Sequence, residues 1–189
     1  LKTSRLKLVS SGITASMHKA AFPCDDPLEA KSIRLAVALR GRLSNLSDRP
    51  LCGPALRARQ TAEILGLHAT VSETLRDQDY GVWTGRTLPE LEAEQPGVLQ
   101  AWASDPLFAP PGGESIKDLC NRATAFLSDM AMMPGTTVAV THGPLVRAAI
   151  LCVLDAPVLS FWRIDTPPLS CTEFSFDGRR WALRLGVTT

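Results

Sequence analysis

Short uncharged stretches alternate along the chain with longer segments whose apolar residues recur every three or four positions. That is the pattern of strands interleaved with amphipathic helices. Residues 6–9 predict a short buried strand that ends at Ser10-Ser11-Gly12. A polar, irregular stretch follows to Asp26, after which Pro27 marks a first helical position. Leu28, Ile33, Leu35, Ala36, Leu39 and Leu43 then set out the apolar stripe of a long helix. Residues 50–52 predict a second strand, broken by Gly53-Pro54, and a helix over 55–65 ends at Gly66. Residues 66–113 are less regular, with short helices over 87–94 and 98–103 and a Pro- and Gly-rich loop over 105–113. Ser115 is placed to cap a helix that runs to about Met132 and stops at Pro134-Gly135. The β-branched, uncharged run 137–141 is the clearest buried strand, and Pro144 opens the helix after it. Thr172, Phe174 and Phe176 alternate with polar neighbours, as do Trp181, Leu183 and Leu185 beyond an Asp177-Gly178 turn, which predicts a hairpin. The alternation of strands and helices implies a three-layer α/β sandwich.

Composition narrows the class. Over 189 residues the hydrophobic share is 45% and the charged share 21%, as in a folded globular chain and unlike a disordered one. Twenty basic and nineteen acidic residues leave a net charge of +1, which disfavours nucleic acid or an acidic membrane as partner. The five cysteines, Cys24, Cys52, Cys120, Cys152 and Cys171, are odd in number and show no C-x-x-C spacing. Neither a disulfide framework nor a metal site is expected, three of the five sit in apolar surroundings as small core residues, and a reducing compartment follows. No apolar run approaches the length of a membrane span, and the N-terminal stretch lacks the apolar core of a signal peptide, so the expected location is the cytoplasm.

Two strand ends carry the candidate chemistry, Ser10-Ser11-Gly12 and Thr141-His142-Gly143. Ligands of open α/β sheets sit beyond the carboxyl ends of strands, and glycine there brings backbone N–H groups close to them. A helix N-terminus at Pro144 favours an anion. Arg57 opens a further helix from a strand end, and its guanidinium offers a planar fork suited to phosphate.

The segments Ala55-Leu56-Arg57-Ala58-Arg59-Gln60-Thr61-Ala62, Leu75-Arg76-Asp77-Gln78-Asp79-Tyr80-Gly81 and Thr141-His142-Gly143-Pro144-Leu145-Val146-Arg147 occur in an order and at a spacing that resemble the histidine phosphatase superfamily, also called phosphoglycerate mutase-like. The resemblance covers about residues 6–187. It implies one phosphoglycerate mutase-like domain over 1–189 with a mostly parallel sheet, a small helical lid over about 78–113, and no cofactor. It also implies that Arg57, His142, Gly12 and Gly143 bind phosphate, that His142 donates hydrogen bonds to the phosphoryl oxygens, and that Asp77 falls where the family has the acid that protonates the leaving oxygen. Asp79 is the weaker candidate for that work. The Tyr80-Gly81-Val82-Trp83 segment with Gly85 matches a structural motif of the family, and Glu114 in Gly112-Gly113-Glu114-Ser115 is expected to orient its neighbours.

The departure lies in the first motif. The family's strand ends in Arg-His-Gly, whose His accepts the phosphoryl group. Here Ser10 stands for the Arg and Ser11 for the His, and Met17 replaces a common Asn, while Thr14 agrees with the pattern. A serine hydroxyl is protonated at neutral pH and needs a base. Losing a nucleophile that works as part of a unit lowers rates by ~10⁶. His18 and His68 are expected at the surface. The sequence therefore points to a pseudophosphatase that keeps an anion pocket for a small phosphorylated or anionic ligand, or for docking a protein partner. The alternative is a repurposed hydrolase or weak phosphomonoesterase that uses Ser11 with His142.

Overall fold

The computed structural model describes residues 3–40 and 47–185. Six strands form one sheet in the order β3-β2-β4-β1-β5-β6, with β1 at Ser4–Ser10, β2 at Leu51–Cys52, β3 at Thr70–Val71, β4 at Gly135–Thr141, β5 at Cys171–Phe176 and β6 at Trp181–Arg184. The ladders joining β1 to β4, β4 to β2 and β2 to β3 are parallel, and the C-terminal hairpin β5-β6 adds antiparallel to β1. Between β1 and β4 the register runs from Ser4 opposite Gly135 to Ser10 opposite Thr141, so both strands end level and deliver Ser11 and His142 to the same edge.

Strand alternation sorts the core into two layers. Leu6, Leu8 and Ala139 face α6 (Ile116–Ala131) and α7 (Gly143–Leu154), packing with Leu119, Phe126, Leu145 and Phe161. Val9, Val138 and Val140 face the opposite side, where α3 (Leu56–Ile64) contributes Ala58 and Ala62. The predicted α/β sandwich is thus present, and β4 is buried on both faces as its uncharged sequence requires. Ser115 caps α6 by accepting from the Asp118 N–H at 3.1 Å, and Asp118 returns the favour to the Ser115 N–H at 3.2 Å. A second capping box, built by Thr87 and Glu90, starts α4 (Leu88–Glu94), which is followed by α5 (Val98–Ser104). Phe22, Tyr80, Trp83, Trp102 and Phe108 form a third apolar cluster beside these two helices.

Three expectations require correction. Pro27 does not open a helix: Leu28 instead bridges Thr14, and α2 spans Ala30–Leu39, while Leu43 lies outside the described residues. The inward face of α2 also differs from the predicted stripe. Ser32 and Ala36 are buried, with Leu39 packed beside the core, whereas Ile33 and Leu35 are 40% and 51% exposed. The cause is close approach to the Gly12 turn: a Cβ on Gly12 would stand 3.0 Å from the Ser32 Cβ, and the Ser32 hydroxyl accepts from the Ile13 N–H at 2.8 Å. Only small side chains fit there. The edge strand β3 was not predicted, since its two residues are both exposed and carry no periodic signal. Of the cysteines, Cys52 and Cys120 are buried, Cys24 and Cys152 are half-buried and Cys171 is exposed. Among the described residues no helix is long and apolar enough to cross a membrane, and no group of three or more metal-ligating side chains gathers.

Gly53 sits where β2 meets the turn before α3, and a Cβ there would lie 2.5 Å from the Leu75 carbonyl oxygen and 3.3 Å from His142 Nε2. The nearer atom is backbone and cannot swing away. Gly53→Ala is expected to cost ~1–3 kcal/mol in urea unfolding, as other overpacking substitutions do, through displacement of the Leu75 segment.

Candidate active site

The level ends of β1, β2 and β4 bring Ser10, Ser11, Gly53 and His142 to one edge of the sheet, and α3 supplies Arg57 from its first turn. Ser10, Ser11, Arg57 and His142 are all at most 5% exposed. The Ser11 N–H donates to the Thr141 carbonyl at 2.8 Å, continuing the β1-β4 ladder by one rung. Thr61 ties the Gly12 turn to α3: its hydroxyl accepts from the Gly12 N–H at 3.1 Å and donates to the Arg57 carbonyl at 2.7 Å. The sequence-predicted set Ser10, Ser11, Gly12, Arg57 and His142 is therefore gathered in one place, with Gly143 following His142 at the start of α7.

Asp77 joins this group from the segment after β3. Its Oδ2 accepts from Arg57 Nη2 in a close ion pair, and its Oδ1 accepts from the Gln78 N–H at 2.9 Å. The other terminal nitrogen of Arg57 donates to the Cys24 carbonyl at 2.9 Å. Two ring or guanidinium nitrogens in the cluster, Arg57 Nε and His142 Nε2, are buried without a hydrogen-bond partner. His142 Nδ1 stands 3.4 Å from Ser11 Oγ and 3.9 Å from Asp77 Oδ2. Serine and carboxylate thus crowd the same imidazole nitrogen.

Arg122, on α6, is the residue that sequence reasoning missed. Its guanidinium donates to Glu114 at 2.9 and 2.8 Å and to the carbonyls of Thr74, Arg76 and Asp77 at 2.8 to 3.0 Å. Thr141 adds its hydroxyl to the Leu75 carbonyl at 2.8 Å. These bonds fix the 74–77 backbone over the sheet edge and so aim Asp77 at Arg57. The signal available in sequence was a cation inside the apolar face of α6, beside Leu119, Ala123 and Phe126. Glu114 is buried and holds Arg122, while its carbonyl accepts from the Gln78 side chain at 3.0 Å, which is an orienting arrangement. Asp79 is exposed, lines the open cleft beside Arg57 and Asp77, and accepts from the Gly81 N–H at 2.9 Å. His18, paired with Glu29 at 2.7 Å, and His68 are both exposed. Arg147 leaves the cluster to lie over the Phe161 ring, 5.6 Å from its centroid.

Burial pushes the His142 imidazole down to about 4; the Asp77 carboxylate opposes that shift, and the charges of Arg57 and Arg122 reinforce it. The ring is neutral at physiological pH. Unfolded, it takes up a proton near pH 6.5, so between 6.5 and 4 the unfolded chain binds more protons than the native one. The stability owed to a neutral His142 is complete above pH 6.5 and is lost as pH falls from 6.5 through about 4. Urea unfolding between pH 7 and 4 should show a loss of up to about 3 kcal/mol from this group, and His142→Asn should flatten that part of the profile.

Comparison with known proteins bears on what this geometry belongs to. The chain is 31% identical over 146 residues to a bifunctional protein of Mycobacterium tuberculosis, a match that takes in 75% of this chain but spans only 40% of that relative's length. The solved structure of mycobacterial hydrolase 1 superposes with a TM-score of 0.86 at 26% identity, covering 97% of this chain and 98% of the other. A mycobacterial glucosyl-3-phosphoglycerate phosphatase solved in complex with inorganic phosphate superposes with a TM-score of 0.81 at 27% identity, covering 96% and 95%. The family profile described as histidine phosphatase superfamily (branch 1) matches residues 14–188, from just past the Ser10-Ser11-Gly12 turn almost to the C-terminus, and the chain belongs to that superfamily.

Proposed function

We propose that this chain is a degenerate histidine phosphatase, a pseudophosphatase that keeps an anion seat on Arg57 and His142, with the backbone at Gly12 and Gly143 on its rim, and holds that seat shut with Asp77. Residues 1–189 form one domain in this reading, and the 78–113 segment, with the aromatic cluster around Trp83 and Trp102, is its lid. The ligand class is a small phosphorylated or anionic molecule. Relatives named as phosphatases, one of them solved with inorganic phosphate, support that class.

The observation that carries the proposal is the way Ser11, His142 and Asp77 are disposed. A hydroxyl stands where the family places its phosphoryl acceptor. A serine relay needs the nucleophile on one imidazole nitrogen and the carboxylate on the other. Both face Nδ1 here, at 3.4 and 3.9 Å, and Nε2 meets no partner. An imidazole pushed down to about 4 is also a weak base. Asp77 is an acceptor at both oxygens, toward Arg57 and the Gln78 N–H, rather than a proton donor aimed at a leaving group. Arg57 Nη2 and His142 Nδ1 are the groups that an entering oxyanion would meet once Asp77 moves aside, with the unpartnered Arg57 Nε beside them. The repurposed-hydrolase reading keeps only the 3.4 Å approach of Ser11 to His142 in its favour.

Two experiments test this. With a phosphomonoester such as p-nitrophenyl phosphate, the native chain and Ser11→Ala should be equally silent, and Ser10→Arg/Ser11→His should gain turnover. Native activity that Ser11→Ala removes would favour the hydrolase reading instead. In thermal-shift titrations with phosphate, Asp77→Asn should bind at least about ten-fold more tightly than the native chain, because a competing charge-assisted contact worth ~1.5–3 kcal/mol has gone. Arg57→Ala should abolish the shift. Equal phosphate affinity in all three chains would eliminate the anion seat.

A further inference from the structure

On the far side of the sheet from Arg57, helices α6 and α7 and the C-terminal hairpin enclose a groove of about 670 Å³, and both Cys120 and Cys152 line it. Cys120 lies on α6 and Cys152 on α7, and the two residues meet across the helix interface. The Cys152 thiol also lies 3.4 Å from the Cys120 carbonyl. Thr124 stands beside them, with its hydroxyl 2.9 Å from the Cys120 carbonyl and 3.2 Å from Cys152 Sγ. That hydroxyl has one proton and two acceptors within reach. While Cys152 is a thiol, its S–H serves the Cys120 carbonyl and Thr124 makes the ordinary bond back along its own helix. Once Cys152 is a thiolate, Thr124 and the Cys120 S–H both turn to the sulfur. The site thus offers two neutral donors to a sulfur anion, with Lys117 on the same groove wall. Hydrogen bonding from Cys120, and more weakly from Thr124, lowers the Cys152 thiol below its ordinary range against the opposing effect of burial, while Cys120 is raised. Cys120 is 5% exposed and Cys152 is half-buried, so Cys152 is the more accessible of the two from the groove.

We infer that Cys152 is the reactive thiol of a second site, open to hydroperoxides through the α6-α7 groove, and that Cys120 is its resolving partner. The Cys152 thiolate attacks one oxygen of the peroxide; the S–O bond forms as the O–O bond breaks, and the leaving alkoxide or hydroxide takes a proton from water. Cys120 then attacks the resulting sulfenic acid, the new S–S bond forms, and water departs with the Cys120 proton. Two electrons pass from the sulfur pair to the peroxide, and thiol reductants reverse the change. The product is a covalent tie between α6, which carries Arg122, and α7, which starts directly after His142.

The full chain at pH 7, reduced and then freed of reductant, tests this by mass mapping of all five cysteines. Under limiting iodoacetamide, Cys152 should be alkylated roughly ten-fold faster than exposed Cys171, as expected of a stabilised thiolate, and Thr124→Val should slow Cys152 without changing Cys171. Hydrogen peroxide should produce a Cys120–Cys152 linked peptide lighter by two hydrogens and restored by dithiothreitol. In Cys120→Ser the reaction should stop at a sulfenic acid on Cys152 that dimedone traps. Alkylation of Cys171 before Cys152 overturns the inference, and so does peroxide treatment of the native chain that leaves Cys120 and Cys152 unlinked. Both readouts come from the native chain and do not depend on a variant folding.

Discussion

A guanidinium in the interior must be answered by charge and by hydrogen bonds, and Arg57 organises the top of this sheet by making that demand. Asp77 and the Cys24 carbonyl meet it. Each comes from a different stretch of chain, so the ion pair draws the segment after β3 and the loop before α2 onto the first turn of α3. Asp77 is itself aimed by Arg122, whose five donor contacts hold Glu114 and the carbonyls of Thr74, Arg76 and Asp77 in place. Removing one partner from a buried pair of this kind typically costs ~3–5 kcal/mol, which is why the cluster is as much a structural joint as a functional one.

Under the proposed reading, the two arginines also explain how a histidine phosphatase scaffold keeps its shape with serines at residues 10 and 11. Here small hydroxyls stand at residues 10 and 11, and a carboxylate from the protein itself sits against the remaining cation. The resting molecule is therefore satisfied electrostatically without a ligand. Under the proposed reading, an external anion has to compete with an internal one, and selectivity rests on whether it also reaches the nitrogens that Asp77 leaves unserved.

Much of this was legible in the chain. The strand at 137–141 declared itself by β-branched, uncharged residues, the hairpin by alternation around Asp177-Gly178, and α6 by the Ser115-x-x-Asp118 cap. The order of motifs located Arg57, Asp77 and His142, and the structure brings all three together. What sequence did not show were the properties fixed by contacts between distant segments. The inward face of α2 is set by proximity to Gly12, not by the size of its own apolar residues. Thr70 and Val71 pair with β2 without any apolar signature. Arg122 stands inside the apolar face of α6, but nothing local marks the distant Glu114 and 74–77 backbone that it clamps. That Asp77 occupies Arg57 depends on how the 74–77 backbone is pinned, which no local pattern encodes.

The placement of β1 has a further consequence, for the order of assembly. The strand at Ser4–Ser10 has as its two neighbours in the sheet β4 at Gly135–Thr141 and β5 at Cys171–Phe176, both far along the chain. Its backbone donors and acceptors stay unpaired until those distant segments arrive, and closing so long a loop before any reward makes the central sheet slow to form. The strand is thus exposed to mispairing until β4 and β5 arrive. The charged positions Arg5 and Lys7, set between the apolar residues of that strand, give it some protection against association in the interval.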